Sequence, residues 1–343
     1  MKRIMHIDID AFFSSAEIIK NKELENKPLA VAVKVNNGII SSANYLARQY
    51  GVKAAMNISK AKELCPSLLC LKADMNFYKE TSNKFFKFID FYLKKNMEIA
   101  SVDECYVDVT ELLEKFNYNE RLFASDLKYK IKKEFWLNVS IGIAKNKYIA
   151  KLLSDNSKPN GFLSDKDVNI DNIKIDNMLY IANDKIKQLK DNNIFVIKDF
   201  FNINNKKIIQ EIISKSIYDK IYFLFHTNDE QITSNLNKPN SISKAHDFSQ
   251  NESNTEVIES ILISLLNDLI IKIDKLNFEY QTISIYYRID KKISRISAQI
   301  DYTKTWHQNL MQLFNKKWKN FNVNYIGITF SSAIDKQEIL FNV

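Results

Sequence analysis

Two short apolar runs in this chain carry carboxylates at positions where a strand would bury them. His6-Ile7-Asp8-Ile9-Asp10 alternates acid with isoleucine, and Glu104-Cys105-Tyr106-Val107-Asp108 alternates polar with apolar residues. Both have the two-residue period of a β-strand. Met97–Ala100 enters the second run through a polar break at Ser101-Val102-Asp103, so Asp103 and Glu104 fall at a strand-to-strand turn. Burying carboxylates in an apolar sheet is costly unless positive charge stands among them. A pair of divalent ions meets that need. Oxygen donors with no Cys or His cluster suit Mg2+ or Mn2+ rather than zinc.

The order of elements around these runs restricts the fold. Lys2–Ile9 reads as a buried strand and Ala11–Lys20 as a helix, with Phe12 and Phe13 at the turn between them. A helix N-terminus there offers free N–H groups to a phosphate. Pro28–Val33 is a second strand. Tyr45 and Arg48 stand three apart on one helical face, with Gly51 as the stop. A hydroxyl and a guanidinium so placed make a triphosphate clamp, although spacing alone leaves an ordinary exposed pair open. Asn76–Lys94 is a helix with a core stripe at Phe77, Thr81, Phe85, Phe88 and Tyr92. Glu120–Phe135 is a second amphipathic helix and Val139–Ala144 a strand. With residues 11–74 set aside, the succession is strand, helix, strand, strand, helix, strand, the split βαβ arrangement, which puts Asp8 and the Asp103-Glu104 turn on neighbouring central strands. A helix through Leu153 follows, then the turn Ser157-Lys158-Pro159-Asn160-Gly161.

The remainder reads as separate regions. Asp165–Asn235 is helical, Asn-rich and free of glycine. Residues 233–242 form a polar linker. Beyond it lie a helix at Val257–Leu276, alternating strands at Gln281–Ile289 and Ser294–Tyr302, a helix at Trp306–Lys319 and a strand at Asn322–Ser331, with Ala245–Phe248 as a further short strand. The outward positions Thr282, Ser284, Tyr286 and Arg288, then Arg295, Ser297 and Gln299, carry hydroxyls and a few cations. Such a face suits phosphate tracking without base readout, and equally a plain solvated sheet.

Charge and composition set outer bounds. The net charge of +8 fits a polyanionic partner. Because 44 lysines stand against five arginines, a single arginine carries more meaning here than a single lysine. Only the flanking Pro-Asn-Gly singles out Lys158. Three cysteines without metal spacing fit a reducing compartment. No apolar run reaches membrane-spanning length and no secretory leader is visible, so a cytoplasmic protein is expected.

Taken together, the carboxylate runs, Asn44-Tyr45-x-x-Arg48 and Lys158-Pro159-Asn160-Gly161 resemble the Y-family DNA polymerases, most closely the DNA polymerase IV type. The resemblance is specific over Lys2–Gly161 and by layout only over Ile242–Ser331. It implies an α+β multidomain, right-hand polymerase. Residues 1–10 and 75–164 would form a βαββαβ ferredoxin-like palm and 11–74 small fingers. Residues 165–232 would be a helical thumb, 243–332 an α/β little finger and 333–343 a tail. By the same resemblance Asp8, Asp103 and Glu104, with the Ile9 carbonyl, hold two Mg2+ ions, with Mn2+ as the expected substitute. Phe12, Phe13, Tyr45, Arg48 and Lys158 bind the dNTP, and Phe13 is the steric gate against a 2′-hydroxyl. Thr282, Ser284, Arg288, Arg295 and Ser297 are the expected DNA contacts. Gln337, Leu340 and Phe341 resemble the clamp-binding peptide of bacterial polymerases.

The implied activity is low-fidelity, non-proofreading, template-directed DNA synthesis by a monomer, in DNA repair and damage tolerance. Asp10 and Asp108 are expected to make structural hydrogen bonds, and Ser101 to help place the Asp103-Glu104 pair. The family's thumb grips a DNA phosphate through a Gly-rich hairpin turn. The matching stretch Tyr180-Ile181-Ala182-Asn183 has no glycine, and Asn183 is the expected left-handed substitute. Two rival readings remain at this point. One is a nucleotidyl cyclase on the same palm, and the other is a non-catalytic clamp or DNA-binding protein.

Overall fold

The computed structural model describes residues 2–35, 38–228, 232, 240–274, 276, 278–290, 292–319 and 321–335. The chain divides into two units, Met1–Asn235 and Leu236–Val343.

The N-terminal unit begins with β1 (Ile4–Ile9), α1 (Phe12–Lys20), β2 (Leu29–Ala32), β3 (Ile40–Ala43), α2 (Tyr45–Gln49), α3 (Ile58–Leu64) and β4 (Leu69–Lys72). It continues with α4 (Met75–Leu93), β5 (Met97–Ile99), β6 (Glu104–Asp108), α5 (Glu120–Phe135), β7 (Val139–Ala144), α6 (Lys147–Ser157) and β8 (Phe162–Ser164). One sheet has the order β5-β6-β1-β7-β8, so the first strand is central although its neighbours come much later in the chain. β1 is antiparallel to both β6 and β7, and the register sets Asp8 opposite Glu104. Every β1 residue is buried, so the strand's apolar side chains feed a core on either face. Met5, Ile7 and Ile9 join Phe85, Ile89, Phe123, Leu127 and Ile131 from α4 and α5. A smaller sheet, β3-β2-β4, is built over Ala30, Ala43, Ala47, Val52 and Ile58. Small side chains there keep its core thin.

Gly142 explains how close α6 lies to β7. A Cβ added at Gly142 would stand 2.0 Å from the Ala150 carbonyl oxygen and 2.5 Å from the Ser154 nitrogen. Only a residue without a side chain allows that approach. Leu152, Leu153 and Tyr148 of α6 then enter a second core with the helices that follow. These are α7 (Asn183–Asp191), α8 (Ile197–Phe200), α9 (Lys206–Ile213) and α10 (Lys215–His226).

The glycine-free hairpin corrects one expectation. Asn183 is not left-handed but opens α7, after Ala182 in extended backbone. The left-handed residue is Tyr180, with φ 70°. Stacking against Tyr148 at 6.5 Å and a cation–π contact with Lys220 at 3.7 Å hold its ring. Those contacts offset the roughly 1–2 kcal/mol that left-handed backbone costs a side-chain-bearing residue.

The C-terminal unit contains β9 (Ser241–Glu252), α11 (Thr255–Ile273), β10 (Phe278–Ile289), β11 (Lys292–Gln299), α12 (Trp306–Lys317) and β12 (Val323–Asp335). β9 is much longer than the expected Ala245–Phe248. It starts inside the stretch read as linker because Ser241 and Ile242 pair with Ser331 and Phe330. The sheet order is β11-β10-β12-β9, all antiparallel. Ile283, Ile285, Ile328 and Phe330 share one core with Leu262, Leu266, Leu310 and Phe314 from the two helices. The opposite face carries rows that run across all four strands. One is Ser241, Ser331, Thr282 and Gln299, and the next is Ser243, Thr329, Ser284 and Ser297.

Candidate active site and its relatives

The carboxylates stand at one end of the larger sheet because β1 stops at Ile9 and the chain reverses at once. Ala11 makes the reversal in left-handed backbone, φ 47°. A non-glycine residue there stores local strain. It opens α1 without a side-chain cap, so the first N–H groups of that helix are free of a capping side chain. Asp10 braces the reversal. Its carboxylate accepts from the Ser140 hydroxyl at 2.8 Å and from the Asn160 amide at 2.6 Å, which ties β1, β7 and the Lys158–Gly161 turn together. Asp108 accepts from the Thr110 amide and hydroxyl. Both acids are engaged in structural hydrogen bonds.

Asp8 is 7% exposed, and burial pushes its carboxyl up to about 7 against the opposing pull of Lys158. Lys158 donates to Asp8 at 2.7 Å and to Asp155 at 2.7 Å. Burial works against the Lys158 charge, yet Asp8 and Asp155 outweigh it and hold its pKa above the ordinary lysine range. Asp103 sits in the β5–β6 turn. Its backbone oxygen accepts from the Ile9 amide at 2.9 Å, and the Ser101 hydroxyl donates to its carboxylate at 2.5 Å. Burial again raises its pKa. Glu104 behaves oppositely. Burial raises its pKa, but His6 and the ammonium of Lys151 overcome that and bring it to about 2. His6 is fully buried, with Nδ1 2.6 Å from the Ser154 hydroxyl and Nε2 3.4 Å from the Glu104 carboxylate.

A pocket of about 190 Å3 opens at this end, lined by Asp8, Asp103, Phe13, Tyr45, Arg48 and Lys158 among others. Five separate segments, β1, α1, α2, the β5–β6 turn and the turn after α6, therefore deliver the expected residues to one cavity. Phe12 borders it as well but is 3% exposed and belongs to the core. Phe13 stacks on Tyr78 with ring centroids 4.6 Å apart, and the Tyr78 hydroxyl donates to Glu17 at 2.5 Å. Arg48 lies over the Tyr45 ring at 4.5 Å and donates to the Ala43 carbonyl at 2.9 Å. Glu104 stands apart, on Lys151 and His6. Among the described residues no three acids or imidazoles converge on a single metal position.

The C-terminal face holds the expected DNA contacts less uniformly. Thr282, Arg295 and Ser297 are accessible, Arg295 most of all. Ser284 is 1% exposed and its hydroxyl lies 2.9 Å from that of Ser297, so the reading of it as an outward phosphate contact does not hold. The Arg288 guanidinium is engaged by Asn324 at 2.7 Å and Asp247 at 3.1 Å. Gln337, Leu340 and Phe341 lie outside the described residues. Among those described, no helix is long and apolar enough to cross a membrane. Sequence reading did not single out Tyr78, His6, Ser140, Lys151 or Asp155. For the last two a signal existed, namely their spacing with Lys158 along one helix face.

Comparison with known proteins agrees with this geometry. Residues 7–155 match the impB/mucB/samB family and residues 239–339 the C-terminal domain of the same family. DNA polymerase IV of Ureaplasma parvum is 35% identical, over 98% of this chain and 96% of its own. That of Bacillus velezensis is 30% identical, over 98% and 83%. A Y-family DNA polymerase chimera of Dbh and Dpo4 superposes with a TM-score of 0.79 at 25% identity, over 97% of this chain and all of that one. DinB from Sulfolobus solfataricus gives 0.70 at 25% identity, over 97% and all of that chain. These relatives set aside the cyclase and the non-catalytic readings. The chain belongs to the impB/mucB/samB family, and is a Y-family DNA-directed DNA polymerase of the translesion, DNA polymerase IV type.

Proposed function

We propose that the pocket beside Asp8 and Asp103 is where this polymerase joins a dNTP to the 3′ end of a primer paired with its template. The observation that carries the reading is the gathering of Asp8, Asp103, Tyr45, Arg48 and Lys158 around one small cavity. Divalent-metal dependence comes with the family. The donor set fits Mg2+, with Mn2+ as a substitute: hard oxygens of Asp8, Asp103 and Glu104, with the Ile9 carbonyl beside them. The charge balance fits too, since each of Asp8 and Glu104 already holds an ammonium group in a buried setting. Two such ions, when bound, acidify the primer hydroxyl and stabilise charge on the transferred phosphoryl group.

The chain's own residues do the rest. Tyr45 and Arg48 share one helix face and grip the triphosphate from the small-sheet side, while Lys158 reaches it from the opposite wall. The uncapped start of α1, bordered by Phe12, adds backbone donors. Phe13, fixed by its stack on Tyr78, stands where a 2′-hydroxyl would collide. On the C-terminal unit Arg295, Thr282 and Ser297 track duplex phosphates without reading bases. The open start of α7 grips another phosphate despite its missing glycines, since Tyr180 supplies the turn. Gln337, Leu340 and Phe341 dock on a sliding clamp. We place the enzyme as a cytoplasmic monomer in repair and damage tolerance, without proofreading.

The test is primer extension by the full chain with Mg2+ and four dNTPs, beside a variant carrying both Asp103→Asn and Glu104→Gln. Templated extension by the wild type alone supports the reading. Equal extension by both would remove these acids from the chemistry. Clamp binding that survives deletion of residues 337–343 would remove the tail from that role.

A further inference from the structure

Helix α6 presents to the catalytic end of the sheet a charged stripe that the reaction as described uses only in part. Lys147, Lys151, Asp155 and Lys158 follow at three- and four-residue steps, hence on one face. Each lysine meets a different strand. Lys147 meets Glu98 of β5 at 2.7 Å, Lys151 meets Glu104 of β6, and Lys158 meets Asp8 of β1 at 2.7 Å. Asp155 lies between the last two lysines, 3.7 Å from the Lys151 ammonium and 2.7 Å from that of Lys158. The side chains of Lys151, Asp155 and Lys158 are no more than 25% exposed, so water screens these charges poorly.

The stripe is held close by packing rather than by reach. Gly142 lets α6 lie directly on β7. The Ser154 hydroxyl, one turn along, joins the His6 ring and the Lys151 carbonyl, at 2.6 and 2.9 Å. Glu104 is thus held by Lys151, with the buried His6 ring 3.4 Å away on its other side. A divalent ion approaching Glu104 meets the Lys151 ammonium already in contact with that carboxylate. Two like charges cannot share it without loss, so one must leave. Asp155 is the acid already within reach of that ammonium.

We infer that Lys151 and Asp155 are positioning residues for metal loading: Lys151 serves as an internal cation that holds Glu104 until a divalent ion replaces it, and Asp155 takes the displaced ammonium. This rests on the reading of Asp8, Asp103 and Glu104 as metal ligands. Its consequence is that Lys151 weakens metal affinity while keeping the carboxylate ordered. A residue serving only to brace the fold would not weaken it.

The test is Mn2+ binding to the full chain, followed by the electron paramagnetic resonance of the free ion. The set is wild type, K151M, K151R, D155N and the Asp103→Asn, Glu104→Gln double variant as baseline. Thermal unfolding checks that each is folded. K151M is expected to bind about tenfold more tightly than wild type, K151R like wild type, and D155N several-fold more weakly, because its lysines lose their alternative acid. Unchanged or weaker binding by K151M overturns the inference. So does K151R behaving like K151M, which would make shape rather than charge responsible. Should K151M be unfolded, D155N still decides, because binding equal to or tighter than wild type overturns the relay. If wild type binds no more Mn2+ than the double variant, the ligand reading itself falls and takes this one with it.

Discussion

The two sheets of this molecule share one succession, strand, helix, strand, strand, helix, strand, and arrange it differently. In the N-terminal sheet the first strand is central, between the third and fourth of the series. In the C-terminal sheet the first strand, β9, is at the edge and the second and fourth are central. A central first strand buries its acids between two neighbours and concentrates charge at one end. An edge first strand does not. Its sheet spreads hydroxyls in rows over a broad face instead. The contrast matches the two kinds of work proposed for the two sheets. Chemistry needs a few charges held in low dielectric, where each one counts. Holding a duplex needs many weak, redundant contacts.

That contrast breaks most visibly if single residues matter equally in both sheets. Asp103→Asn should lower primer extension by about a thousandfold or more while DNA binding stays intact. Gel shift and single-turnover extension on one preparation will show it, and retained extension would remove Asp103 from the site. Phe13→Val should cost roughly 10- to 100-fold in discrimination against ribonucleotides, read from paired kcat/KM values, with deoxynucleotide incorporation little changed.

The next effects are on stability. At the far end of β1 the Arg3 fork meets Glu120 at 2.8 and 2.9 Å, both residues 5% exposed. Glu120→Gln should cost about 1–3 kcal/mol in urea unfolding at pH 7, since it removes one of the two carboxylates, with Asp165, that hold a buried guanidinium. Burial opposes the Glu120 charge, but Arg3 and its other partners prevail and hold its pKa below 4.5 in the fold. That stabilisation is therefore complete above pH 4.5 and drains away as pH falls through the lowered value. The gap between wild type and Glu120→Gln should accordingly narrow below pH 4.5, and a constant gap would mean the pair does not control it. In the C-terminal sheet, Gly327→Ala puts a Cβ 2.4 Å from the Tyr286 ring and 2.7 Å from the Lys244 carbonyl. About 1–3 kcal/mol should be lost, with extension chemistry unchanged on tightly bound DNA. The smallest effects belong to the tracking face. Arg295→Ala should reduce the salt slope of DNA binding by about one, and Ser297→Ala should change affinity less than twofold. A large loss from Ser297→Ala would turn distributed contact into specific recognition.

Legibility in the sequence follows the same division. Asp8, Asp103, Glu104, Tyr45 and Arg48 could be singled out as candidates because each stands in a local pattern whose period or spacing has a physical meaning, and one pocket gathers all of them but Glu104. Lys151 and Asp155 share a helix-face spacing with Lys158, but in a chain of 44 lysines that spacing gains meaning only once Gly142 is seen to seat their helix on the sheet. The roles of Ser140 and Asn160 were hidden because their partner, Asp10, is 130 and 150 residues away. Strand order in the first sheet was read from the succession of elements and firmed by the resemblance, since the same succession also builds the second sheet with a different order. At Tyr180 local propensity misled: the left-handed position went to a tyrosine whose ring has neighbours, not to the asparagine that backbone preference favours.

The central place of β1 also bears on how the enzyme is made. Asp8 is synthesised well before its sheet neighbour Glu104 and its ammonium partner Lys158, the latter 150 residues later. β6 and β7 can pair with β1 before then, but Asp8 still lacks its ammonium partner. A chain that stops short of Lys158 leaves Asp8 buried without the ammonium beside it, so the charge at that end of the sheet is balanced only once the turn after α6 is complete.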